Sequence, residues 1–297
     1  MRIVRPGQFP NNRGMKFICT FGFFLIFSGI ILAQEPAPTA DPDSLNAVFG
    51  TDSTVEPLAS STASAAFQYV VAHFPFGGGF NTQVMMANSG TKAATVQVSF
   101  LNQSGASSAV PLSGKGLQSS ESFTIQPNDV QGFSGDPSKR NSQELDVAWA
   151  MVGSSAPLNV FSLFDYGPNA PVISGAVGAQ STVAAKTFRL PILERNAGPG
   201  NPADYEVGLA IANPNNSTTT VTVKVLNPDG SVKGSFQEVL PAKNQTIFTL
   251  SSKMNFDSSL FTGSMAVCAT EPIGLVTIGF EGGQAFFTTS VTNDPCP

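Results

Sequence analysis

Few side chains in this sequence could carry chemistry. There is one imidazole, His73, and there are three cysteines. A nucleophilic triad needs a base held in place by a third group. His73 lies near the end of an apolar segment whose counterpart later in the chain reads Arg189, as expected of a polar residue at a strand end. A single His also excludes a multi-His metal site. Paired carboxylates could do glycosidase work. The candidates are Asp129 with Asp136, Glu144 with Asp146, and Asp204 with Glu206. All fall near loops or strand ends, where solvated acids are the ordinary reading. Asp129–Asp136 or Asp204–Glu206 could hold Ca²⁺ through carboxylate oxygens, although no calcium-loop spacing is present. Gly77-Gly78-Gly79 is followed by neither the Lys nor the helix start of a phosphate loop. Trp149, Tyr166 and Tyr205 are the candidate ligand platform for sugars, but the 24 Phe against one Trp and three Tyr favour packing. No catalytic, cofactor-binding or metal residue is therefore assigned, and the expected protein is not an enzyme.

The charge balance narrows the partners. The chain has 297 residues, 15 basic and 20 acidic side chains, and a net charge of -5. That is no footprint for neutralising phosphates, so nucleic acid is not an expected partner. With 41% hydrophobic residues the chain can bury a core.

Residues 1–33 contain Arg2, Arg5, Arg13 and Lys16, no acid, and then an apolar run from Phe17 to Ala33. A basic start, an apolar run and a small residue at its end make an export signal. Cleavage after Ala33 is expected, with no membrane insertion afterwards; a retained anchor is the alternative. Residues 34–66 are rich in Pro, Ala, Ser, Thr and Asp without sustained periodicity, and read as a flexible tether.

After the tether the chain repeats itself. Residues 84–105 and 209–230 align without a gap at an offset of 125, with Ala87 on Ala212, Asn88 on Asn213 and Gly105 on Gly230. Flanking matches set Gln126-Pro127 on Leu240-Pro241. The expected domains are 67–183 and 184–297. Val96, Val98 and Phe100 alternate with Gln97 and Ser99, and Val221, Val223 and Val225 with Thr222 and Lys224. Period-two alternation of β-branched residues predicts strands. Further strands are predicted at 67–74, 82–88, 121–126, 145–152, 158–165 and 171–178. Their partners are predicted at 186–193, 205–212, 244–250, 262–269, 273–280 and 284–291. Short strands with regular turn signals predict an all-β fold of two tandem antiparallel β-sandwiches, immunoglobulin-like or jelly roll.

The unit size, Ala212-Asn213-Pro214, Asn227-Pro228-Asp229-Gly230 and a proline-led strand near the end of each unit carry a resemblance. Over residues 67–294 the chain resembles tandem immunoglobulin-like or fibronectin-like modules of secreted bacterial surface proteins. The resemblance implies modules that hold, space or bind, and fold alone does not choose among these. Cys268 and Cys296 are the only cysteines after the signal, and export makes a disulfide between them the expected state. The expected function is a structural, adhesive or protein-interaction role, secreted or at the cell surface, with an extracellular protein or glycan as partner. Loops 76–82 and 194–205 differ most between the copies and are the expected working surface. The alternatives are a carbohydrate-binding module pair and a jelly-roll hydrolase.

Overall fold

A computed structural model describes residues 65–140, 144–166, 176–179, 184–197, 204–281 and 284–287. The expected export signal, most of the tether and Cys296 lie outside the described residues. All described residues belong to the compact unit Phe49–Pro297. They form an all-β structure, and none of them is in an α-helix.

The first repeat contains β1 (Phe67–Phe76), β2 (Phe80–Asn88), β3 (Ala94–Leu101), β4 (Val110–Leu112), β5 (Gly116–Gln118), β6 (Ser120–Ile125), β7 (Asp129–Ser134), β8 (Asp146–Ser154), β9 (Asn159–Tyr166) and β10 (Ala176–Ala179). The second contains β11 (Ala185–Glu194), β12 (Tyr205–Ala212), β13 (Thr219–Leu226), β14 (Val232–Leu240), β15 (Gln245–Thr249), β16 (Phe261–Glu281) and β17 (Gln284–Phe287). In β3, Val96, Val98 and Phe100 are buried while Gln97 and Ser99 face out. This is the pleat sorting one face into the core and the other into water.

The strand order is the same in both repeats. In the first, a front sheet β1-β8-β3-β6 faces a back sheet β10-β9-β2-β7. Val71, Phe74, Val98 and Phe100 from the front meet Val84, Met86, Phe133 and Val160 from the back in one core. In the second, β11, β16, β13 and β14 make the front ladder. There β17, β16, β12 and β15 make the back one. The 21-residue β16 runs through both ladders unbroken, doing in one piece what β8 and β9 do in two. β1 pairs with β8 rather than with β2, and β9 pairs with β2 rather than with β8.

Three sequence expectations change. The segment predicted at 244–250 is β15, which matches the unpredicted β7; the segment at 121–126 is β6, which matches the unpredicted β14. The registers set Ile125, rather than Gln126, at the place of Leu240, opposite Ala94 and Thr219 respectively. Arg189 is not the counterpart of His73. Arg189 faces Ala266 as Val70 faces Met151. His73 instead sits where the β1 register slips between Val71 and Phe74, a bulge that β11 lacks at that point.

Asn88 and Asn213, flagged by the repeat, staple each sandwich from inside. Asn88 Nδ2 donates to the carbonyls of Lys92 (2.8 Å) and Ile125 (3.0 Å). Asn213 Nδ2 donates to those of Ser217 (2.8 Å), Leu240 (3.1 Å) and Pro241 (2.8 Å). Each ties the turn after its strand to the end of β6 or β14. A short two-headed amide suits the task because it satisfies several backbone groups that a turn leaves buried.

A third core joins the repeats. Val70, Ala72, Trp149 and Phe164 of the first pack with Ala210, Ala212, Val276 and Ile278 of the second. The outer face of the first repeat's front sheet thus receives the outer face of the second repeat's back sheet. Gln245 Nε2 donates across this boundary to the Ala72 carbonyl (2.6 Å), and Gln245 N to the Gln103 carbonyl (2.9 Å). The fit is close: a Cβ on Gly274 would lie 2.3 Å from Val70 Cγ1. One on Gly105 would lie 2.7 Å from the Lys243 carbonyl oxygen.

Candidate functional site

Several ionisable groups gather at the β11–β12 end of the second repeat, where Glu206 and Asp204 both act on Glu194. Arg195 and Tyr205 close the two strands with paired backbone bonds of 2.9 and 3.1 Å. The Arg195 guanidinium stacks over the Tyr205 ring at 4.9 Å, and its Nε is buried. One residue inward, Glu194 is only 1% exposed. Its Oε1 accepts from the Val207 N–H at 2.9 Å. Burial raises its pKa to about 8, with the nearby charges of Glu206 and Asp204 adding to the rise and the Val207 N–H opposing it. Glu206 accepts from the Ser251 hydroxyl. Asp204 accepts from the Ala197 N–H at 2.8 Å.

Chemically this is one protonated carboxyl beside two carboxylates that are already engaged. Such a set can store and release a proton near neutral pH. Among the described residues no group of three His, Cys, Asp or Glu side chains is arranged to hold a metal ion, so Asp204–Glu206 and Asp129–Asp136 form no such group. Asp129 Oδ1 accepts from the Val130 N–H, and Asp136 Oδ1 from the Ser138 N–H. Both cap local backbone instead of converging. Sequence reasoning found Asp204, Tyr205 and Glu206 but missed Glu194. The difference shows only in the strand registers: Glu194 faces Phe261 where Phe76 faces Asp146, so it occupies a site that is apolar in the first repeat.

The other candidates are dispersed. Trp149 does not offer a ligand platform. It is 0% exposed within the core between repeats, and its indole N–H donates to the Asn102 carbonyl at 3.0 Å. Tyr205 is half-buried under Arg195, and the Tyr166 side chain lies outside the described residues. His73 packs edge-on against Phe164 with ring centres 5.5 Å apart. Burial lowers its pKa to about 4, which keeps it neutral at physiological pH. Its Nδ1 is buried without a hydrogen bond, so it lacks the orienting partner a base requires. The 76–82 segment is mostly strand. Gly77, Gly78 and Gly79 turn it with φ of 72°, 55° and 93°, and a Cβ on Gly78 would lie 2.6 Å from Leu145 Cβ. Cys268 lies in β16 opposite Thr187 and Thr222.

A groove of about 190 Å³ between the repeats is lined by Gln97, Ser99, Met151, Gly153 and Pro214. It is smaller than the pockets of ~300–1,000 Å³ that hold small molecules. None of the described helices is long and apolar enough to cross a membrane. The sequence matches no known protein family and no characterised protein.

Proposed function

We propose that this is an exported, non-enzymatic protein in which two immunoglobulin-like modules, 67–183 and 184–297, act as a structural or interaction unit outside the cell or at its surface. The observation that carries the reading is the core between repeats around Trp149, which joins two sandwiches into one body. Such a body presents loops and strand edges at fixed positions, as protein-interaction scaffolds do. The acid-poor, basic-then-apolar start supports export. Cys268 has an interaction partner within the protein. A bridge to Cys296 would tether the chain end to β16 and contribute ~3 kcal/mol by loop closure.

The test is fractionation of cells producing the whole chain, followed by binding of the exported product to a glycan panel and to extracellular surfaces. The expected product is shortened near residue 33, binds a surface protein and ignores the glycans. Retention on a glycan that is lost in Tyr205→Ala would replace this reading with carbohydrate binding. Hydrolysis of a glycan that is lost in Glu194→Gln would make it an enzyme.

A further inference from the structure

The chain enters the first repeat by folding back onto it. Ala65 is half-buried, while Ala66, Phe67 and Gln68 after it are exposed. A Cβ added to Gly153 would lie 2.8 Å from the Ala65 Cβ. Gly153 sits in β8 between Gln68 of β1 and Gln97 of β3. It shares the parity of Trp149 and Met151, so this spot is on the outer face of the front sheet. Its backbone is not left-handed, so the glycine there supplies room rather than an unusual angle. The registers put Cys268 at the equivalent place in the second repeat, between Thr187 and Thr222. The first repeat thus leaves out a side chain where Ala65 lies. From this spot the groove between the repeats runs past Ser99 and Met151 to Pro214, and Ala65 is one of its walls.

We infer that residues 59–64 lie along this groove and strap the tether to the outer face of the first repeat's front sheet. The occupant follows from where the chain enters. Ala65 already stands in the groove, so the residues joined to it start at its mouth, at an effective concentration that a separate partner does not match. The composition of the segment fits the walls. Residues 59–64 read Ala-Ser-Ser-Thr-Ala-Ser, with nothing bulky and nothing charged. The groove of about 190 Å³ has room for small side chains from one extended segment, of which every second points at the floor. None of the described lining residues is charged, and Gln68, Gln97 and Ser99 can exchange hydrogen bonds with the hydroxyls and backbone of such a segment. Upstream the chain changes to Glu56, Pro57 and Leu58, which sets the limit of the strap. The inference goes beyond the proposed function, and an export cut near residue 33 leaves the segment in place.

Hydrogen–deuterium exchange of the whole chain, read by mass spectrometry, tests this. Amides of residues 59–64 should exchange at least ~10-fold more slowly than those of residues 50–55. Gly153→Leu, which fills the groove floor, and Ser99→Trp, which fills its side, should each bring the two rates together. Exchange in β2 of the back sheet should stay as in the parent, which separates release of the strap from unfolding. Gln237→Trp, on the front sheet of the second repeat, should leave residues 59–64 protected. Equal exchange at 59–64 and 50–55 in the parent overturns the inference. So does protection that survives both groove variants. Protection that appears only at high protein concentration also overturns it, since a second copy would then supply the cover.

Discussion

Where the first repeat buries Phe76, the second buries the carboxyl of Glu194. Where the first sets Trp149 and Val70 on its outer front face, the second sets Ser264 and Arg189. The turn at Gly105 presses on Lys243, while at the equivalent turn a Cβ added to Gly230 would meet nothing within 4 Å. Both glycines keep nearly the same backbone, with φ of 83° and 84°. Apart from Phe76 and Glu194, the inner faces of the two sandwiches hold to one plan, while their outer faces have diverged. Inner positions answer to the shared strand order, and outer positions answer to whatever covers them.

The sharpest way to break this comparison is to remove the side chain that joins the repeats. Trp149→Ala should cost about 3–5 kcal/mol in denaturant unfolding. Ser264→Ala, at the equivalent place, should change stability by less than about 0.5 kcal/mol. Equal effects at the two sites would mean the core between repeats contributes nothing of its own.

Glu194 contrasts with Phe76 through pH. Its pKa moves from 4.5 to about 8 on folding. Between those values the folded chain holds a proton that the unfolded chain releases, so stability falls as pH rises through the window. His73 moves the other way, from 6.5 to about 4, so its contribution is lost as pH falls through that range. The two slopes oppose each other where the windows overlap, and a stability plateau is expected there. Glu194→Gln keeps an acceptor for the Val207 N–H and removes the ionisation. Thermal melts should show it stabilised at pH 8 by on the order of a few kcal/mol and little changed near pH 4.5.

The asparagine staples are where the repeats agree. Asn88→Ala and Asn213→Ala should each cost ~1–3 kcal/mol by leaving buried carbonyls unpaired. Asn213→Ala should cost more, because its amide serves three carbonyls against two for Asn88. A smaller loss than at the staples is expected of Gly230→Ala, about 1 kcal/mol from its left-handed backbone alone. Gly105→Ala adds the collision with Lys243 and should exceed it in the same unfolding assay.

Alternation in β3 and β13 made the all-β class readable, and Asn88 and Asn213 marked the repeat. The edge strands were harder to see. β14 has one buried residue, Leu240, and β7 one, Phe133, so neither has the apolar side that betrays a half-buried strand. Trp149 was legible as buried but its place was not. Ala148, Ala150 and Val152 face the core of their own sandwich, and Trp149 and Met151 face away from it. The larger residues on the wrong parity announce a second layer. Glu194 was hidden because its depth depends on a register that the long connection from 195 to 204 obscures.

The unbroken β16 has a consequence for how the two repeats come apart. In the first repeat the chain leaves the front sheet at Ser154 and re-enters the back sheet at Asn159, so a short joint lies between its layers. The second repeat has no such joint: one 21-residue rod is the central strand of both ladders. Detaching either layer there means breaking hydrogen bonds along a strand the other layer also uses. The second repeat should open all at once, and its β16 amides should exchange with solvent most slowly, while the first can breathe one layer at a time.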